Sequence, residues 1–174
     1  MQKKLGLVSS IIPIESGETK EAELFKKAVN YYVEGDTQSC LDVLNYVLYL
    51  QPDNDKLKKL YRAIGEDANM VVTAPSEYGT DVVKEKLLAA LGLFYENKFS
   101  EVIKKCNEVL RMEPSNTTAL ERLGSAYLKL NQKVDAKKVW EKAYMLNPDN
   151  KLLKKFIDKL DKEIQGAEDA APKK

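Results

Sequence analysis

The chain contains no histidine, and this absence removes the commonest general base, the commonest metal ligand and the usual sensor of physiological pH. An excess of charge of one sign is also missing, because 28 basic residues are balanced by 27 acidic ones. Such a balance argues against a dedicated nucleic-acid-binding or membrane-surface protein. The apolar stretch near the start, Leu5 to Ile14, is cut short by Pro13 and Glu15, so we expect neither a signal peptide nor a membrane span.

Motifs for catalysis are missing as well. The sequence has no nucleophile elbow, no glycine-rich phosphate loop and no cluster of metal ligands. Lysine pairs recur along the chain, for example at 58–59, 104–105 and 137–138, but acidic residues are interspersed among them and indicate solvated helix faces. We therefore predict that the chain is not an enzyme, holds no cofactor or metal ion, and binds no nucleic acid.

What the sequence does contain is a regular spacing of small, apolar and helix-ending residues between Thr117 and Asn150. Gly124 and Ala136 are small, which suits two antiparallel helices that cross closely at these positions. A proline cannot continue a helix, so Pro148 marks the end of the second one. The full pattern comprises Leu120, Leu123, Gly124, Tyr127, Ala136, Trp140 and Pro148.

This pattern resembles the tetratricopeptide repeat (TPR), a helix–turn–helix unit of about 34 residues. Two less complete copies occur earlier in the chain. The first contains Leu24, Ala28, Tyr31, Cys40, Leu44, Val47 and Pro52, and the second contains Ala89, Ala90, Leu93, Phe99, Val102, Cys106 and Pro114. The resemblance implies an all-α fold: a TPR-type helix–turn–helix solenoid with three repeats, two capping-type helices and a long loop between repeats one and two.

Two further helices are predicted to close the repeats. Each follows the tripeptide Pro-Asp-Asn, at 52–54 and at 148–150, whose Asp or Asn side chain can cap a first helical turn. Solenoids need terminal helices because the last repeat otherwise leaves an apolar face in water. The predicted organisation is an N-terminal extension (1–20), the first repeat plus its helix (21–65), a loop or hinge (66–80), the second and third repeats (81–148), a C-terminal capping helix (149–165) and a disordered tail (166–174).

In TPR proteins, the first helices of successive repeats line a concave groove that holds a peptide or a helix. By repeat register, the resemblance implies three sets of groove residues in this chain. The first repeat supplies Phe25, Val29, Tyr32 and Val33, the second supplies Leu87, Leu91, Phe94 and Tyr95, and the third supplies Arg122, Ser125, Leu128 and Lys129. An exposed apolar surface of this size indicates a binding site. The alternative is that the first two sets pack as ordinary core against neighbouring helices or the N-terminal extension.

The implied function is a non-enzymatic protein–protein interaction module, an adaptor or scaffold whose groove binds a peptide or amphipathic helix of a partner protein. An alternative from another class is a structural self-assembly protein that oligomerises through the apolar strip 5–14 and the groove. A third interpretation has this strip plugging the groove of its own chain.

One TPR subclass grips the acidic C-termini of chaperones with a carboxylate clamp of Lys and Asn residues. Of the matching positions here only Arg122 fits, which argues against a chaperone-tail co-chaperone. The two cysteines, Cys40 and Cys106, fall on core positions of different repeats, so we expect buried thiols without a disulfide. This favours a cytoplasmic protein. A periplasmic or membrane-associated protein is the alternative if a signal or anchor lies outside this sequence.

Overall fold

The structure is a computed structural model that describes residues 19–70 and 81–169. These two ranges contain eight α-helices and no strand, so the all-α prediction is confirmed. Expectations about residues 1–18, 71–80 and 170–174 lie outside the described residues. The helices are α1 (Lys20–Glu34), α2 (Thr37–Leu50), α3 (Asp55–Asp67), α4 (Val82–Tyr95), α5 (Phe99–Met112), α6 (Thr117–Lys129), α7 (Lys133–Leu146) and α8 (Lys151–Asp169).

The chain divides into two compact units, and the boundary between them falls at Glu85 and Lys86, inside α4. In the first unit, α1 packs against α2, and α2 packs against α3. Helix α2 is the centre of this unit, because Val43, Leu44 and Val47 are almost completely buried. In the second unit, α5, α6, α7 and α8 pack in succession, each against the next helix along the chain.

Side-chain caps start several of the helices. The side chain of Asn54 accepts a hydrogen bond from the backbone N–H of Leu57 at 3.0 Å, and the side chain of Asn150 accepts one from Leu153 at 3.0 Å. Each such cap contributes about 1 kcal/mol to stability. The predicted capping role of the two Pro-Asp-Asn tripeptides is therefore confirmed, and the asparagine is the capping residue in both.

The turns inside the repeats need left-handed backbone conformations. Gly35 has φ +92° between α1 and α2, where the sequence predicted a tight turn. Asn97 and Asn131 each have φ +59° at the corresponding turns after α4 and α6. Asparagine tolerates this conformation better than other residues with a side chain, because its short polar side chain can bond locally.

Gly124 lies at the closest approach of α6 and α7. A Cβ atom added there would lie 2.9 Å from Cε2 of Trp140 and nearer still to its Cδ1 and Nε1 atoms. The indole is held in place, because its Nε1–H donates to the backbone carbonyl of Glu121 at 3.0 Å and the residue is 4% exposed. The prediction that Gly124 is small because two helices cross there is confirmed.

Two helices extend further than the sequence analysis placed them. Helix α3 passes through the buried Gly65 and ends at Asp67, and α8 passes through Gly166 and ends at Asp169. A glycine inside a helix costs only about 1 kcal/mol relative to alanine, so it does not by itself end a helix that other contacts support. Pro172 is the stronger signal, because proline disfavours helical conformation in the residue before it.

Candidate partner-binding groove

The first predicted set of groove residues lies on α1, and Tyr32 is not accessible there. Its exposed fraction is 1%, and its hydroxyl donates to a carboxylate oxygen of Asp67 on α3 at 2.6 Å. Burial, followed by this hydrogen bond, raises the pKa of Tyr32. The groove prediction was therefore wrong for Tyr32. Periodicity does not show that α3 contacts the face of α1 that carries Tyr32. For this residue the structure agrees with the alternative interpretation, packing as ordinary core. Phe25, Val29 and Val33 are half-buried.

The second set lies on α4 and remains more accessible. Leu87, Leu91 and Phe94 are half-buried, whereas Tyr95 is 77% exposed. The ring of Phe94 packs edge-to-face on Phe99 of α5, with 5.3 Å between the ring centres. This contact orients one side of α4 towards α5 and leaves its other side open.

One exposed apolar residue beside this set was not among the predicted ones. Leu88 is 58% exposed. It precedes Leu91 by three residues and Tyr95 by seven, so the three side chains lie along one face of α4.

The third set lies on α6, beside α4. Arg122 donates through Nη1 to the backbone carbonyl of Leu87, a bond that joins the two helices. The hydroxyl of Ser125 donates to the backbone carbonyl of Glu121 at 2.8 Å, a hydrogen bond within α6. Leu128 is half-buried and Lys129 is exposed. The second and third sets therefore lie next to each other in the second unit.

The Arg122 contact changes the role of that residue. Sequence reasoning identified its guanidinium as the one group fitting a carboxylate clamp. In the structure this group is half-buried and bonded to main chain, so it positions α4 against α6. Nothing in the sequence pattern marked Leu87 as its acceptor, because a backbone carbonyl has no sequence signature.

A buried charge cluster also fixes α4 to α5. One carboxylate oxygen of Glu108 accepts from Lys86 of α4 at 2.7 Å and from Lys105 at 3.0 Å. Burial alone would raise the pKa of the Glu108 carboxyl, but the two ammonium groups hold it below its usual value. The carboxylate is thus ionised at neutral pH, and the cluster is a structural support of the helix pair.

The thiol near the same surface is not a nucleophile. Cys106 is completely buried, and burial raises the pKa of its thiol to about 11, although the nearby Arg122 guanidinium acts in the opposite direction. A thiol with such a pKa is protonated and unreactive at neutral pH. Cys40 is likewise buried and forms no disulfide, as expected.

Helix α8 extends the surface beyond α6. The 34-residue offset that relates the repeats places Leu152, Lys155, Phe156 and Lys159 at the register positions of Thr118, Glu121, Arg122 and Ser125. The Asn150 side chain donates to a carboxylate oxygen of Glu121 at 3.1 Å, which joins the start of α8 to the groove side of α6. Sequence analysis treated α8 only as a cap and missed these positions. The same offset was sufficient to find them.

Comparison with known proteins fits this geometry. A family model described as the tetratricopeptide repeat matches residues 117–150, the stretch that carries the complete residue pattern. Residues 117–150 therefore match one tetratricopeptide repeat, and the described ranges are all-α. Proteins with this repeat are generally non-enzymatic modules for protein interaction.

Individual relatives match this chain only in part or at low identity. Sperm-associated antigen 1 of Rattus norvegicus is 30% identical over 74 residues, which are 42% of this chain and 8% of that protein. The first TPR domain of human RPAP3 is 20% identical with a TM-score of 0.43, over 89% of this chain and all of that domain. The first TPR of Spaghetti (RPAP3), solved with an HSP90 peptide, is 19% identical with a TM-score of 0.38, over 88% of this chain and 98% of that one.

Within residues 19–70 and 81–169, the acidic residues and cysteines form no group that could hold a metal ion. No helix in these ranges combines the length and the apolar character needed to cross a bilayer.

Proposed function

We propose that this TPR protein binds a peptide or an amphipathic helix of a partner protein on the face formed by α4 and α6. This surface, the groove face, comprises Leu87, Leu88, Leu91, Phe94 and Tyr95 of α4 with Ser125, Leu128 and Lys129 of α6. The observation that carries the proposal is the exposure of large apolar side chains on α4, where Leu88 is 58% and Tyr95 is 77% accessible.

The chemistry of the groove face suits an apolar anchor. Contiguous exposed apolar side chains mark interaction sites on monomeric proteins, and tyrosine is among the residues that contribute most to binding energy. The bond from Arg122 to Leu87 and the ion pairs of Glu108 hold α4 in place before a partner arrives. A preorganised surface loses less entropy on binding, which favours affinity.

The test is a selection of random displayed peptides on the full chain, followed by fluorescence anisotropy with the selected peptides. A variant with Leu91→Gln and Tyr95→Gln removes the apolar anchor site. The matched control is Val134→Gln with Met145→Gln on α7, because these side chains are 64% and 74% exposed and do not belong to the groove face.

We expect the groove variant to lose at least about tenfold in affinity, since buried aromatic and aliphatic anchors contribute 1 to 2 kcal/mol or more each. The control variant should bind like the wild type. Failure of any peptide to enrich, or equal binding by the two variants, would contradict the proposal.

A second candidate function is self-assembly, in which the groove face contacts another copy of this chain. The same exposed Leu88 and Tyr95 support it. Light-scattering mass against concentration separates the two functions, because only self-assembly predicts a mass that rises with concentration and falls in the Leu91→Gln, Tyr95→Gln variant. The contribution of the apolar strip 5–14 is tested with Ile11→Ser and Ile12→Ser. These substitutions leave intact Thr19, whose side chain accepts a hydrogen bond from the N–H of Ala22 and caps α1.

We also propose a reducing compartment such as the cytoplasm as the site of action. Its support is that Cys40 and Cys106 are buried and form no disulfide. Secreted proteins usually oxidise their cysteines to disulfides. Immunofluorescence of the full-length protein in its own cells tests this location directly.

A further inference from the structure

Three acidic side chains of α8 form ion pairs. Asp158 pairs with Lys154 at 2.7 Å, Asp161 pairs with Lys137 of α7, and Glu163 pairs with Lys133 of α7 at 2.8 Å. The pairing with Lys133 lowers the pKa of Glu163. Two of these carboxylates, those of Asp161 and Glu163, hold α8 against α7. A lysine partner compensates the negative charge of each of the three carboxylates.

Of the three lysines on the groove side of the same helix, two have no ion-pair partner and one has only a distant partner. Lys155 and Lys162 form no ion pair with any residue of the described ranges, and Lys159 reaches Glu163 only at 3.9 Å while it is 74% exposed. The spacing of these three residues, four and then three positions, places them on one face of α8. Glu163 takes the register position of Lys129 on the same face, but Lys133 of α7 pairs with it at 2.8 Å. The face therefore keeps a net positive charge.

Two accessible apolar residues lie among these lysines. Leu152 is 63% exposed, and Phe156 is 43% exposed although its ring packs on Trp140 with 5.6 Å between ring centres. Leu152 is three residues before Lys155, and Phe156 is three residues before Lys159, so each lies beside a lysine on the helix surface. We call the five residues Leu152, Lys155, Phe156, Lys159 and Lys162 the basic face.

The basic face and the groove face are parts of one surface. Both occupy the same positions of the 34-residue register, and the bond between Asn150 and Glu121 joins α8 to α6. The surface thus changes in character from α4 to α8. It is apolar on α4 and basic on α8.

Resting on the proposed function, we infer that the partner segment is acidic at one end and apolar at the other, with its carboxylates against Lys155, Lys159 and Lys162 and its apolar anchor against α4. Charge complementarity carries this assignment, because exposed lysines in excess beside an apolar site favour an anionic ligand and disfavour a cationic one. An anionic lipid surface has the same charge. A peptide is favoured because the basic face continues into the apolar face of α4 within one folded unit.

The composition of the peptides selected on the full chain gives the first test. We expect Asp and Glu to be enriched together with Leu, Ile or aromatic residues, and Lys and Arg to be depleted. Binding of these peptides should weaken at least several-fold from about 50 mM to about 500 mM salt, since salt screens exposed charge pairs. Selected peptides without acidic enrichment, displaced by groove-face substitutions, would overturn this inference and leave the proposed function standing.

A charge variant gives the second test. Lys155→Gln, Lys159→Gln and Lys162→Gln together keep side-chain length and helix propensity while removing the charge. The matched control, Lys104→Gln with Lys138→Gln and Lys142→Gln, removes three exposed lysines from α5 and α7. We expect the basic-face variant to lose about tenfold or more in affinity for the acidic peptides and the control to change it less than about twofold.

Three other outcomes would overturn the inference. One is equal binding of acidic peptides by the basic-face variant and the control. A second is failure of any peptide to enrich, which would overturn the proposed function as well. The third is binding to phosphatidylserine vesicles that depends on the three lysines while acidic peptides do not bind, which would identify a membrane surface as the partner.

Discussion

Substitution of Gly124 by alanine tests the packing that holds the second unit together. The added methyl group would lie within 2.9 Å of Cε2 of Trp140 and still closer to two other ring atoms. The ring cannot move away freely, because Phe156 packs on it and the carbonyl of Glu121 accepts its N–H. Either the two helices separate or the indole leaves its site.

The expected cost follows from three contributions. Overpacking of a core typically costs about 1 to 3 kcal/mol. Loss of the indole hydrogen bond adds about 1 kcal/mol, and the better helix propensity of alanine returns about 1 kcal/mol. The sum predicts that Gly124→Ala destabilises the second unit by about 1 to 3 kcal/mol.

The assay is urea unfolding followed by tryptophan fluorescence. Trp140 is the single tryptophan of the chain, so selective excitation reports on the second unit alone. The matched control is Gly92→Ala in the last turn of α4, where a Cβ atom meets nothing within 4 Å. This control should gain about 0.5 to 1 kcal/mol, because alanine is the better helix former.

The essential result is that the free energy of unfolding falls in Gly124→Ala and rises in Gly92→Ala. A Gly124→Ala variant as stable as the wild type, with an unchanged dependence on urea, would refute the close helix crossing. Equal destabilisation by Gly92→Ala would show that both glycines act through the backbone and not through contact with Trp140.

Two further predictions concern stability. Asn131→Ala should destabilise the second unit by about 1 kcal/mol, because alanine tolerates the positive φ poorly, whereas Asn131→Gly should not; thermal unfolding distinguishes them. Glu108→Gln removes the ion pair between Lys86 of α4 and Glu108 of α5, and should lower the free energy of unfolding by about 1 to 3 kcal/mol at neutral pH. The pKa of Glu108 is lowered in the folded state, so its contribution exists above the unfolded pKa and is lost as pH falls through the folded pKa. Urea unfolding over this acidic range should therefore show a smaller loss of stability in Glu108→Gln than in the wild type.

Much of the fold could be predicted because its determinants are local in sequence. The residues from Leu120 to Pro148 specify a helix pair through spacing, and the Asn caps and the Gly35 turn act within a few residues of themselves. The turn role of Asn97 and Asn131 was missed. Asparagine in a left-handed turn is a weaker signal than glycine, although the two residues are one repeat length apart.

The groove face was predicted less well because its accessibility depends on contacts distant in sequence. Tyr32 and Phe94 are aromatic residues at corresponding positions of the first two sets. Tyr32 is buried and its hydroxyl donates to Asp67 of α3, while Phe94 remains half-buried beside exposed residues. Periodicity gives the face of a helix and does not say which element covers it. The tie between Arg122 and Leu87 could not be predicted for the same reason.

Amide NMR spectra of the labelled full chain, titrated with a selected peptide, test most directly whether the partner lies on the groove face. We expect the largest changes in amide chemical shift on α4, α6 and α8, at residues such as Leu91, Ser125 and Lys155. The amide chemical shifts of α5 and α7 should change little. Shifts concentrated on the exposed residues of α5 and α7, with those of α4 unchanged, would contradict this expectation.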